Sequence, residues 1–175
     1  MNFMEDSPKL SPNELAFIAL ANEYCEAIEL ALNQGEASAL ADKMLRMLPR
    51  IYIVTSDLPV TDDAWRESYI EPTLTEQRYD SVRDALSAVL AEDDVYLEVM
   101  VEDMKYSDTP IATSISENLA DLYQEFYNFV NSIADLPTSM QQELVAACVD
   151  NFYQYWGQTL CNVTRALHFS FKTIK

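Results

Sequence analysis

Glu117, Asp121 and Glu125 recur at steps of four, which on a helix stacks three carboxylates along one face. Carboxylates so placed could contribute to a metal centre between helices. A ferritin-like di-iron site also needs inward Glu-x-x-His pairs. The sequence has one histidine, His168, and Arg165 stands three residues before it, where the acid is required. The three carboxylates also fall on the back of their helix, away from Leu119 and Phe126, so a solvated face is expected. No metal and no cofactor are expected. A catalytic base needs a nucleophile and an orienting partner beside it. Cys161 shares a helix face with His168 but lies about 10 Å away along the axis, too far for a hydrogen-bonded dyad. The plainer role for His168 is a cation at the C-terminal end of its helix. Gly35 and Gly157 are the only glycines, so neither a phosphate-cradling loop nor a Gly-x-Ser-x-Gly elbow can be built. No catalytic residue is assigned; the sequence leans away from an enzyme, which would have to rest on residues scattered across the fold.

Aromatic density is the other unusual feature. Tyr123, Phe126, Tyr127 and Phe129 on one predicted helix should face Phe152, Tyr153, Tyr155 and Trp156 on the next. An aromatic core accounts for most of them. The less inward rings, Tyr127 and Tyr155, could line a groove for a partner helix or an apolar ligand. The candidate groove comprises Tyr123, Tyr127, Tyr153, Tyr155, Trp156 and His168.

The elements that must carry these residues follow from periodicity. From Thr138 to His168 there is no proline, and Val145, Val149, Phe152, Trp156, Leu160, Val163 and Leu167 recur at steps of four and three. Leu144, Cys148, Tyr153 and Tyr155 widen that stripe, so this long helix should touch neighbours on two sides near the middle of a bundle. Gly157 beside Trp156 implies a neighbouring helix or ring too close for a side chain. The preceding helix starts at Thr109-Pro110, with a second cap at Ser114 to Glu117. Its seam is Ile115, Leu119, Leu122, Phe126, Phe129 and Ile133. Leu136-Pro137-Thr138 turns it into an antiparallel helical hairpin with the last helix.

Earlier in the chain, Ser11-Pro12-Asn13-Glu14 is a capping box that opens a helix running to about Asn33, closed by Gly35. A second helix spans Ala37 to about Thr55, interrupted by Pro49. Asp57 to Pro72 is a connector whose Trp65 folds back as a lid. Thr73 to Glu76 is a capping box for a third helix reaching about Ala91. Val95, Leu97, Val99 and Val101 then alternate as in a strand, although Val95 with Val99 and Tyr96 with Met100 also fit helix spacing; read as extended, the segment has no partner in the chain. The fold class is all-α, an antiparallel bundle of about five helices with one irregular or extended connector near residues 92–108. It forms a single domain over residues 11–170, and residues 1–10 and 171–175 are loose termini.

Composition narrows the function. Lys and Arg number 11 against 29 Asp and Glu, for a formal charge of −18. Between Asp84 and Thr164 there are fourteen acids and one basic residue, Lys105. Such a surface repels phosphate backbones and anionic lipid, so neither nucleic acid nor membrane is expected as a partner. The three cysteines share no close-spaced motif; Cys161 is the expected free thiol. No signal-like segment or membrane-length apolar run is present, and the protein is expected to be cytoplasmic.

The run Glu117-Asn118-Leu119-Ala120-Asp121-Leu122-Tyr123 is followed by Tyr155-Trp156-Gly157 and Arg165-Ala166-Leu167-His168. Together these resemble the bacterial family called domain of unknown function 5063, over roughly residues 11 to 170. Met47-Leu48-Pro49 and the Tyr96 to Val99 segment are similar to it as well. The resemblance implies a compact helical domain and implies no activity. The expected function is that of an acidic helical-bundle interaction domain for a protein with a basic surface. The alternative is a sensor-like bundle binding a small apolar or cationic molecule in a tyrosine-lined pocket.

Overall fold

In a computed structural model of the chain, residues 9–60, 70–98, 105–106 and 108–172 are described. Helix α1 covers Pro12–Gln34, α2 Ala37–Ser56 and α3 Glu76–Leu90. The short 3-10 turn Ala91–Asp93 leads into β1, Val95–Glu98, which pairs antiparallel with β2, Ile111–Ser114. Helix α4 follows at Ile115–Ile133. The last helical rod comprises α5, Thr138–Asn151, a π-helical segment, Phe152–Trp156, and α6, Gly157–Lys172.

Local chemistry sets the ends of these elements. Ser11 and Glu14 make the reciprocal capping box of α1, and Gly35 ends it in the left-handed region at φ 60°. Pro49 is accommodated inside α2. Thr75, not Thr73, caps α3. The Thr73 hydroxyl instead donates to Asn128 Oδ1, which also accepts the Leu74 amide at 2.8 Å, so the connector before α3 is tied to α4.

The segment expected to be an unpartnered strand has a partner. Residues 111–114, read as the first turn of a helix from Thr109-Pro110, form β2 with register Val95↔Ser114 to Glu98↔Ile111. Helix α4 begins only after Ser114, whose hydroxyl accepts the Glu117 amide. Asp94, only 5% exposed, fixes this junction. Its carboxylate accepts the Ser116 amide at 2.7 Å, the Ser116 hydroxyl at 2.8 Å and the Ser87 hydroxyl at 2.9 Å. Trp65, Val99 and Val101 lie outside the described residues.

The core is aromatic at its centre. Trp156 is fully buried among Phe17, Phe126 and Phe152, with ring centroids 6.4, 5.0 and 4.8 Å away. Its indole N–H donates to the Cys148 carbonyl at 3.1 Å, which satisfies its one polar atom. The last rod touches neighbours on two sides, α2 and α4. The central place belongs to α4, which packs against α1, α3 and the last rod. Helix α6 runs through Lys172, past the point where the tail was expected to loosen.

Candidate functional site

The six residues of the expected groove do not converge. Tyr123 and Trp156 are fully buried in the core. The Tyr123 hydroxyl donates to Glu29 Oε1 at 2.8 Å, and its ring meets Tyr127 at 5.5 Å. Tyr153 is exposed and leans on Phe152. Tyr155 is half-exposed and turns to α4. His168 is exposed on α6 thirteen residues later, about 20 Å along the rod from Tyr155. A stripe of rings spread over two helical turns points in several directions, which periodicity alone conceals.

The acidic row also differs from its expectation. Glu117 is exposed, but Asp121 and Glu125 are partly buried. Asp121 accepts the Tyr79 hydroxyl from α3 at 2.6 Å and the Tyr155 hydroxyl at 3.4 Å. Burial raises the Asp121 carboxyl above its ordinary range, and the two tyrosine hydrogen bonds oppose that. Burial likewise raises Glu125, against a hydrogen bond from Asn151. Tyr155 is pushed up to about 12, first by burial and then by Asp121. These carboxylates link three helices. Among the described residues no group of three or more His, Cys, Asp or Glu side chains could hold a metal ion.

Two surface clefts carry more of the exposed apolar area. The first, of about 320 Å³, runs between β1 and α6 and is lined by all four residues of β1 with Asn162, Arg165 and Phe169. The Ile115 amide donates to the Asp94 carbonyl, which fixes the phase of the ladder. Pairs in an antiparallel ladder alternate, so Tyr96 and Glu98 bond to β2 while the backbone groups of Val95 and Leu97 point to the opposite edge, which no described strand pairs. The side chains of Val95, Leu97 and Phe169 are 65%, 62% and 68% exposed. The hairpin is held from below: Asn118 bonds the Tyr96 hydroxyl, and Asn162 bonds Glu98. The β-alternation of Val95 and Leu97 was legible. What sequence reasoning missed was β2, although the β-branched Ile111 and Thr113 are a strand signal.

The second cleft, of about 710 Å³, lies between α2 and α6. Tyr52, Ile53 and Leu160 line it together with Cys161, Arg165 and His168. Cys161 is an exposed free thiol. Arg165, which stands in sequence where a metal site would need an acid, lines both clefts.

A model of the family described as domain of unknown function, DUF5063, matches residues 8–171. The chain is similar to protein BF1032 from Bacteroides fragilis, known from a structural-genomics crystal structure. The two are 34% identical and superpose with a TM-score of 0.77, covering 94% of this chain and 96% of that one. No curated protein matches the chain.

Proposed function

We propose that this chain, which belongs to the family of the domain of unknown function DUF5063, is a non-catalytic interaction domain that receives an extended segment of a partner protein along β1. The observation that carries this reading is the edge of β1 that no described strand pairs. Val95 and Leu97 turn backbone donors and acceptors outward there, and no described residue hydrogen-bonds them. An unpaired edge is a template for strand addition, in which main-chain bonds give affinity and alternate side chains give specificity. Phe169 and the exposed Val95 and Leu97 would cover the apolar side chains of the incoming strand.

The charge of −18 supports a partner with basic residues flanking that strand. A cytoplasmic setting agrees with three free cysteines. A small-molecule pocket among the tyrosines has less support. The hydroxyls of Tyr79 and Tyr155 donate to Asp121, and that of Tyr123 to Glu29.

The test is selection from a random decapeptide display library on the full chain, repeated on Leu97→Lys. Leu97 is exposed, so the lysine leaves the core intact. The expected result is a set of peptides with alternating apolar residues and basic flanks that bind the wild type and are lost on Leu97→Lys. Failure to enrich any peptide, or enriched peptides that bind both forms equally, would contradict the reading.

A further inference from the structure

The α2–α6 cleft has a chemistry that the β1 edge lacks. Pro49, Tyr52 and Ile53 of α2 face Leu160 of α6 across an open, mainly apolar trough. Ile53 is 59% exposed there, and the Tyr52 ring closes against Phe152 at 5.1 Å. From Leu160 to Lys172 the trough follows α6 for roughly 18 Å, at 1.5 Å per residue. It is a long slot rather than a round pocket.

Its rim carries basic side chains. Arg165, His168 and Lys172 all line it. On a chain with 11 basic residues against 29 acids, and with its one histidine among the three, this is a local reversal of sign. Lys172 is bonded to Asp42 of α2. Arg165 and His168 have no carboxylate partner among the described residues. A guanidinium and an imidazole left without a carboxylate beside apolar surface on an acidic protein are complementary to an anionic head on an apolar chain.

We infer that this cleft binds a free, linear fatty carboxylate, its alkyl chain along Tyr52, Ile53 and Leu160 and its head at Arg165, His168 and Lys172. The occupant is a dissolved monomer. A bilayer carrying anionic lipid would be repelled by the remaining charge of the chain. The inference is independent of the β1 edge, because Ile53 and His168 do not line that cleft.

Titration of the isotopically labelled full chain with dodecanoate, dodecanol and dodecyltrimethylammonium tests it by amide chemical shifts. Below the micelle concentration, dodecanoate should give saturable shifts at Tyr52, Ile53, Leu160 and His168. Its affinity should exceed that of either other head group by about tenfold, the scale of one charge-assisted hydrogen bond. Ile53→Glu should abolish binding. Arg165→Gln with His168→Gln and Lys172→Gln should erase the head-group preference while leaving the thermal midpoint within a few degrees. Equal affinity for the three heads, no saturable binding, shifts confined to β1, or unchanged binding in these variants would overturn the inference. Co-sedimentation with phosphatidylglycerol vesicles would assign the cleft to a membrane surface and overturn it as well.

Discussion

The carbonyl oxygen of Phe152 lies 2.6 Å from where a Cβ on Gly157 would be, and the Phe152 ring lies 2.8 Å from the same point. The five-residue spacing is the π-helical hydrogen bond itself: the Gly157 amide donates to the Phe152 carbonyl. The close ring expected from sequence is therefore supplied by the same rod, not by a neighbouring helix. Substitution at Gly157 pushes into backbone, which cannot move aside as a side chain can.

Gly157→Ala should destabilise the fold by about 1–3 kcal/mol through overpacking, although alanine is the better helix former by about 1 kcal/mol. Urea unfolding measures this. A stabilised variant would show that the π segment relaxes to an ordinary α-helix at no cost.

Trp156→Ala should cost about 3–5 kcal/mol, since the ring is fully buried among three others and its N–H is bonded to Cys148. A loss below about 1 kcal/mol in the denaturant midpoint would contradict the packing described.

How much was legible in the sequence can be argued from these residues. The central stripe carrying Trp156 and the seam carrying Phe126 follow from helical spacing and are buried throughout, whereas Tyr153 and Tyr155, read as widening the stripe, are exposed. Spacing cannot tell an α turn from a π turn, because one inserted residue changes the hydrogen bonding but not the apolar character. It also cannot show where a half-buried side chain turns. Asp121 lies on the back of α4 by angle, yet Tyr79 from α3 and Tyr155 from the last rod close over it. Both tyrosines come from other elements, so their positions depend on packing that sequence does not display. Asp94 was missed for the same reason: its three side-chain hydrogen bonds come from Ser87 on α3 and Ser116 on α4.

Asp94→Ala should destabilise the fold by about 2 kcal/mol, the scale of hydrogen bonds to a charged group. It should also loosen the hairpin, because through this side chain the residue that leads into β1 holds the first turn of α4. Thermal unfolding and amide exchange at Ser116 check both effects. Unchanged exchange at Ser116 would contradict the capping role.

Stability should fall as pH rises from mildly acidic to neutral. Asp121 and Glu125 are raised from ordinary values of 3.8 and 4.5, so the folded chain holds these protons more tightly than the unfolded chain. The unfolded state then ionises first, and stability decreases as pH rises from those values through the folded ones. General repulsion at a charge of −18 acts in the same direction. The difference between wild type and the Asp121→Asn, Glu125→Gln variant isolates the two carboxyls. The variant should have the shallower slope of melting temperature between pH 4 and 7, and identical slopes would contradict their burial.

The most direct test of strand addition is amide hydrogen exchange at β1, with and without a peptide selected on the full chain. In the free protein, Tyr96 and Glu98 should exchange more slowly than Val95 and Leu97, because the ladder uses only the first pair. With peptide bound, exchange at Val95 and Leu97 should slow by about tenfold or more as their amides gain partners. Peptide binding that leaves Val95 and Leu97 exchanging at their free rates would contradict the account.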